Sequence, residues 1–286
     1  MAPLSPTPVR PRAYLLANRN KEDARAAFDH LRAWIADRDQ LAGADLSLDP
    51  AAIVSTRPDR LIVLGGDGTI LAAGRLVANE RIPIAGVNLG KLGYLAAYAE
   101  DDIRDHFDAV MTDEALVSDR MMISVTVRQP GGPIHESIAI NDCVLHAGPP
   151  FRMLTLEVSV DGQILTTISG DGLIVATPTG STAHNMAAGG PILEPEVSAI
   201  VLSPICPHSL AHRPVVMAGS QPITVTVVRA NEGSAAMIDG QVGIPTPAGT
   251  TVTITRGAQP FRLVRHPERS SWQVLVRKLK WGQGPT

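Results

Sequence analysis

Cysteine is nearly absent from this chain: Cys143 and Cys206 are the only two in 286 residues. Without a CxxC pattern they argue against both a disulfide framework and a zinc site. Aromatic residues make up 3% of the sequence, so a core has to rely on Leu, Ile, Val and Ala. Charge is balanced, with 25 Lys and Arg against 28 Asp and Glu, a formal net charge of −3. A nucleic-acid partner would need a concentrated positive face, and no long basic run supplies one. A local basic pocket for a small anion stays open. No segment reaches the ~18 uninterrupted apolar residues of a membrane span. Residues 1–12 are rich in Pro and lack the apolar core of a signal peptide. His146, His208 and His212 have no second candidate at metal-ligand spacing, so no residue is assigned to a metal. There is no Gly-x-Ser-x-Gly elbow, which leaves Ser/His/Asp hydrolysis without support. The default class is a cytoplasmic enzyme or binding protein, with neither nucleic acid nor membrane as partner.

What is present points to two domains. Hydrophobic residues at 44% and charged residues at 19% suit a soluble globular chain long enough for a sizeable core. After a loose tail, Tyr14 to Ala17 reads as a strand. Between Lys21 and Leu41, Ala27, Phe28, Leu31, Trp34 and Ile35 fall on one helical face. Leu61–Leu64 is a buried strand, followed by a helix to about Ala78 and a strand through Ile82–Val87. A last helix carries Ile103, Phe107 and Val110 on one side. This alternation predicts a Rossmann-like α/β domain with a mostly parallel sheet over residues 13–117. From Ser118 onward the period becomes two. Met121, Ile123, Val125 and Val127 alternate with mostly polar neighbours, as do Leu154, Leu156, Val158 and Val160, and then Ile223, Val225 and Val227. Asp161-Gly162 supplies a hairpin turn. Residues 118–258 therefore read as an all-β domain with one short helical insertion near 182–188. Over 259–286, Trp272, Val274, Leu275 and Leu279 are spaced for a terminal helix.

Five segments look unlike plain scaffold. Gly65-Gly66-Asp67-Gly68-Thr69 follows a buried strand and opens a helix. Its glycines let backbone N–H groups approach a phosphate near the positive end of a helix dipole. Asp67 is the odd member, because a carboxylate repels phosphate. It either holds a metal ion or takes a proton from an attacking hydroxyl; an ordinary Gly-Asp-Gly turn is the plain alternative. Gly86-Val87-Asn88-Leu89-Gly90-Lys91-Leu92-Gly93 falls one residue short of a Walker A loop and has Leu92 where Ser or Thr would bind magnesium. It is a backbone cradle or a plain turn. Asn141-Asp142 interrupts an apolar strand, which is costly unless the pair is hydrogen-bonded, to ribose hydroxyls or within a β-bulge. Gly170 to His184 sets Asp171 before a buried strand and then gathers Thr177, Thr179, Ser181 and Thr182 at a helix start. That is more hydroxyl than capping needs, and the small residues suit an adenine or ribose against the backbone. Asp239-Gly240-Gln241 alone is a hairpin turn.

In this order the segments resemble the ATP-NAD kinases, which phosphorylate the adenosine ribose 2′-hydroxyl of NAD to give NADP. Gly65–Thr69 is similar to the family's first motif, Asn141-Asp142 to its second, and Asp171 through Gly190-Pro191-Ile192 to its long third. Leu202-Ser203-Pro204-Ile205-Cys206-Pro207-His208-Ser209-Leu210, then Arg213-Pro214, is a further match. The resemblance implies that the 259–286 segment packs on the first domain, and that NAD binds between the domains of a homodimer or homotetramer. It implies Asp67 as the base for the 2′-hydroxyl, with Gly65, Gly66, Gly68 and Thr69 toward the donor phosphates. Asn141, Asp142 and Asp171 would hold ribose hydroxyls. Thr182, Ala183, His184, Asn185, Met186 and Ala187 would line the adenine pocket, and Gln241 would close the site. ATP, or polyphosphate, would be the donor, with a divalent metal such as Mg2+ on its phosphates.

Three positions depart from the family pattern. Asp142 stands where Glu is usual, and reaches one methylene less far. His184 replaces a usual Tyr. Ser169 occupies a place where some members carry a bulky basic residue, and Arg152 could supply that charge. The preference between NAD and NADH is left open by these changes. The first motif is shared with diacylglycerol- and sphingoid-type lipid kinases, whose substrates need an apolar groove that residues 170–190 do not offer. A catalytically inactive NAD-binding sensor is the alternative from another class.

Overall fold

The computed structural model describes residues 10–18, 22–90 and 93–280. They fall into two compact units, one drawn from Met1–Ser118 and Arg262–Thr286, the other from Asp119–Phe261. In the first, β1 (Ala13–Ala17), β2 (Leu41–Asp45), β3 (Arg60–Leu64) and β4 (Ile84–Val87) alternate with α1 (Glu22–Asp37), α2 (Pro50–Thr56) and α3 (Asp67–Leu76). β1 pairs in parallel with β2 and β3, and β3 with β4. All residues of β1, β3 and β4 are buried, the pattern of parallel strands covered on both faces. α1 buries Ala27, Phe28, Leu31 and Ile35 in the core of this unit, as its periodicity predicts, and Trp34 packs at the edge. β2 and α2 have no counterpart in the sequence reading.

The single helix expected around Ile103 is two: α4 (Glu100–Asp105) and α5 (Phe107–Thr112) meet at His106, whose φ of −108° and ψ of 14° break the regular turn. Ile103, Phe107 and Val110 are buried all the same, so the apolar face runs on across the break. β5 (Val117–Arg120) follows.

The second unit holds β6 (Ile123–Arg128), β7 (Ile134–Ala139), β8 (Asp142–His146), β9 (Leu154–Val160), β10 (Gln163–Gly170) and β11 (Gly172–Ala176). The helical insertion comes next, as a 3-10 turn over Thr179–Thr182 and then α6 (His184–Ala187). β12 (Ala199–Ile205), β13 (Val215–Ala218), β14 (Ile223–Arg229), β15 (Ala235–Ile238), β16 (Val242–Pro245) and β17 (Thr251–Arg256) complete it. The strands form two six-stranded sheets, ordered β10-β9-β14-β17-β6-β7 and β13-β12-β11-β8-β15-β16. Between them lies one aliphatic core: Val125, Leu156, Val225 and Ile254 from one sheet meet Leu145, Leu173, Val175 and Ile200 from the other. Asp161 and Gly162, at φ 51° and 76°, make the hairpin turn between β9 and β10.

The chain ends with β18 (Phe261–Val264) and α7 (Ser271–Leu279). β18 enters the first sheet, whose order is β2-β1-β3-β4-β18-β5. α7 opens on a capping box in which the Ser270 hydroxyl accepts from the Gln273 N–H and the Gln273 side chain accepts from the Ser270 N–H. Its Val274 and Leu275 are buried, whereas Trp272 is half exposed, so the buried face is narrower than the spacing predicts. Trp281 lies outside the described residues. No helix among the described residues is long and apolar enough to cross a membrane.

Candidate active site

The glycine turn stands where β3 passes into α3. Gly65 has φ +152°, and a Cβ there would lie 2.6 Å from the Thr69 hydroxyl oxygen, so only glycine gives this turn without displacing Thr69. Gly66 is the N-cap of α3, and Asp67 is the acidic residue in its first turn, where the helix dipole favours negative charge. The Asp67 carboxylate is held by three backbone N–H groups. Tyr94 donates to Oδ2 at 2.9 Å, while Leu95 and Ala96 donate to Oδ1 at 2.9 and 3.2 Å. Those donors close the second glycine loop, the one read as cradle or turn. Its end is fixed by Gly93, since a Cβ there would collide with Asp67 Oδ1. Lys91 and Leu92 of that loop lie outside the described residues. Lys278 of α7 brings its Nζ to 3.4 Å from Oδ2 and to 4.1 Å from the Tyr94 ring centroid. Burial first, and the Asp67 charge second, raise the Tyr94 phenol above its ordinary pKa.

In the second unit a cavity of about 470 Å³ is lined by Asn141, Asp142, Val144, His146, Ala183, His184, Met237, Asp239 and Gly240. Its volume is that of an ordinary small-molecule site. Four residues that the resemblance implies as NAD-binding thus come together here: Asn141, Asp142, Ala183 and His184. Asp239 and Gly240 join them from the segment read only as a hairpin turn, and the sequence assigns Asp239 no role. Both of its carboxylate oxygens accept backbone N–H bonds, from Ile140 at 3.1 Å, Asn141 at 2.8 Å and Asp142 at 3.1 Å. Thr177 secures the same segment from the other side, donating its N–H to the Asn141 carbonyl at 2.8 Å and its hydroxyl to the Ile140 carbonyl at 2.5 Å. These bonds satisfy the backbone where the polar pair interrupts the strand. The side chain of Asp142 is left buried and facing the Asp239 charge. Burial first, then that charge, pushes its carboxyl up to about 7. Near neutrality it can both donate and accept a hydrogen bond.

The other candidate residues do not line this cavity. Asn185 is fully buried, its amide donating to the Ser181 and Pro191 carbonyls at 3.0 Å each and accepting from Ser203 Oγ at 2.6 Å. It therefore anchors α6 rather than facing outward. Thr182 bonds back to the Thr179 carbonyl, and Met186 and Ala187 complete the short helix. Ser169 lies 3.4 Å from the Thr155 hydroxyl. Asp171 is exposed between β10 and β11, where it accepts from the Cys206 thiol and thereby raises that thiol's pKa. Arg152 is exposed two residues before β9, and Gln241 follows Gly240 with its N–H on the Ile238 carbonyl.

Comparison with known proteins agrees with both parts of the chain. The model of the ATP-NAD kinase N-terminal domain matches residues 17–115, and that of the ATP-NAD kinase C-terminal domain matches residues 140–266. The NAD kinase of Geotalea daltonii is 39% identical over 230 residues, 80% of this chain and 81% of the relative. That of Citrifermentans bemidjiense is 41% identical over 80% of each chain. The NAD kinase of Syntrophobacter fumaroxidans is 36% identical over 92% of this chain and 95% of its own. The fold is shared with a yeast NADH kinase crystallised with NADH, at a TM-score of 0.85, 21% identity and coverage of 98% and 90%. It is shared too with an Archaeoglobus fulgidus NAD kinase crystallised with ATP, at a TM-score of 0.77, 22% identity and coverage of 94% and 98%. Two family domains in order, and relatives near 40% identity over most of the chain, show that it belongs to the ATP-NAD kinase family, enzymes that phosphorylate NAD to NADP.

Proposed function

We propose that Asp67 is the general base of this reaction. It accepts the proton of the adenosine ribose 2′-hydroxyl as that oxygen attacks the terminal phosphorus of ATP. The new bond forms between the 2′-oxygen and phosphorus, the bridging bond to ADP breaks, and NADP and ADP leave. The observation that carries this reading is the carboxylate itself, pinned at the start of α3 by three backbone N–H groups. A base must hold its geometry, and fixed donors provide that at no cost in reorganisation. Oδ1 already accepts two N–H bonds, whereas Oδ2 accepts one plus the longer Lys278 contact, so Oδ2 is the oxygen that takes the proton.

In the same reading Asn141 and Asp142 bind ribose hydroxyls, with Asp171 alongside, and Ala183 and His184 line the adenine side with Thr182, Met186 and Ala187. Asn185 and Asp239 hold these segments in place, and Arg152, Ser169 and Gln241 border the ligand. Among the described residues no three His, Cys, Asp or Glu side chains gather as metal ligands. A divalent ion, magnesium foremost, would bind on the donor phosphates, and when bound it would neutralise phosphate charge. Cys143 and Cys206 are both free, in keeping with the cytoplasm. The exposed apolar side chains of Ile164, Leu165, Val215 and Val216 favour a homodimer or homotetramer.

The test is NADP formation by the purified chain from NAD, ATP and magnesium, with NADH replacing NAD and polyphosphate replacing ATP in parallel arms. Turnover of NAD is expected. Phosphate transfer to diacylglycerol and none to NAD would contradict the proposal.

A further inference from the structure

A phosphate donor at the Asp67 turn meets a carboxylate, and the resulting repulsion needs a cation close by. The structure assigns that task to Lys278, which we infer binds the terminal phosphate of the donor. The inference rests on the reading of Asp67 as the site of phosphoryl transfer.

Lys278 Nζ is 3.4 Å from Asp67 Oδ2. Charge-assisted N–H···O bonds are typically ~2.7–2.9 Å, so the contact is a loose one. Asp67 does not depend on it, because three backbone N–H groups already hold its oxygens. The ammonium has three donors and spends one on Oδ2, while its near face rests over the Tyr94 ring at 4.1 Å. Its side chain is 30% exposed, which leaves it reachable by a ligand. The stem is carried by a helix with a closed capping box and a buried Val274-Leu275 foot. Upstream of that helix, Arg269 is tied to the Ala97 carbonyl and to Asp102. Among the described residues of α3, the basic side chain is Arg75, which sits in the last turn, at the end opposite the glycine turn.

A tightly paired lysine on a mobile tail would read as a latch; a loosely paired one on an anchored helix reads as a cation waiting for an anion. Transfer of Lys278 from Oδ2 to the incoming phosphate would also bare the oxygen that takes the ribose proton. The same ammonium then serves two anions in turn.

Binding experiments test this without relying on turnover. Lys278→Met and Lys278→Arg would be titrated calorimetrically with a non-hydrolysable ATP analogue, ADP, tripolyphosphate and NAD. Loss of a charge-assisted phosphate contact is expected to weaken the ATP analogue by ~10-fold in Lys278→Met. ADP and NAD should stay within ~2-fold, and Lys278→Arg should recover most of the loss. Thermal melts of both variants establish that they fold. Equal weakening of ADP and the analogue, or none of either, would overturn the inference and leave Lys278 as a helix tie. Parent protein that binds neither the analogue nor tripolyphosphate would overturn it as well. Failure of the parent to phosphorylate NAD while the analogue and ADP still separate would count against the proposed reaction alone.

Discussion

Asp142 is only 4% exposed, yet it faces Asp239, whose carboxylate is committed to three backbone N–H bonds. Its folded-state pKa, raised to about 7, lies well above that of an unfolded aspartate, near ~3.9. The sign follows from linkage. The contribution to stability is fully present below about pH 4 and is lost as pH rises through about 7. Asp142→Asn removes the titration and keeps the shape, so it should raise Tm by ~3–6 °C at pH 8 and leave it unchanged at pH 4. Melting curves at the two pH values check this, and equal Tm at pH 8 would mean that Asp142 is not strained by its charge. Asp239→Ala leaves three backbone donors without an acceptor, and a loss of ~2–4 kcal/mol is expected by denaturant unfolding. The pair Asn141-Asp142 was legible in the sequence because two polar residues break an apolar strand. Asp239 was not: an Asp before a Gly is good turn chemistry anywhere, and nothing local says that its carboxylate reaches a strand 97 to 99 positions away.

Elements place these residues. The loop ending at Gly93 delivers the Tyr94, Leu95 and Ala96 N–H groups to Asp67, and a Cβ at Gly93 would strike the carboxylate they hold. Gly93→Ala is expected to cut kcat by ~10–100-fold through misplacement of that carboxylate. NAD affinity should change little, since the cavity lined by Asn141 and Asp142 lies wholly in the other unit. Steady-state kinetics with calorimetry separates the two effects. Strongly periodic segments such as α1, β6 and β9 were readable because an amphipathic period records its own burial. β2 and α2 were not, since Leu41–Asp45 is half-buried throughout and Pro50–Thr56 is too short to show a period. The break at His106 was invisible for the opposite reason: the apolar face continues across it. The hydroxyl-rich run 177–182 stands out in the sequence, but its hydroxyls mostly serve the protein. Thr177, Ser181 and Thr182 all bond backbone carbonyls.

At the scale of the whole molecule, scarce aromatics leave a core of aliphatic strands in each unit, parallel in one and antiparallel in the other. The change of hydrophobic period near Ser118 made that architecture legible. Spacing alone announces a terminal helix without saying where it packs; the family resemblance implies that it packs on the first domain, and the structure adds the approach of Lys278 to Asp67. The account turns on one carboxylate. The most direct test is the rate of NADP formation by Asp67→Asn beside the parent, with NAD binding measured on both. A variant that folds, binds NAD within ~3-fold and turns over at least ~100-fold more slowly is the expected result for a lost general base. Turnover within a few-fold of the parent would contradict the account and remove Asp67 from that role.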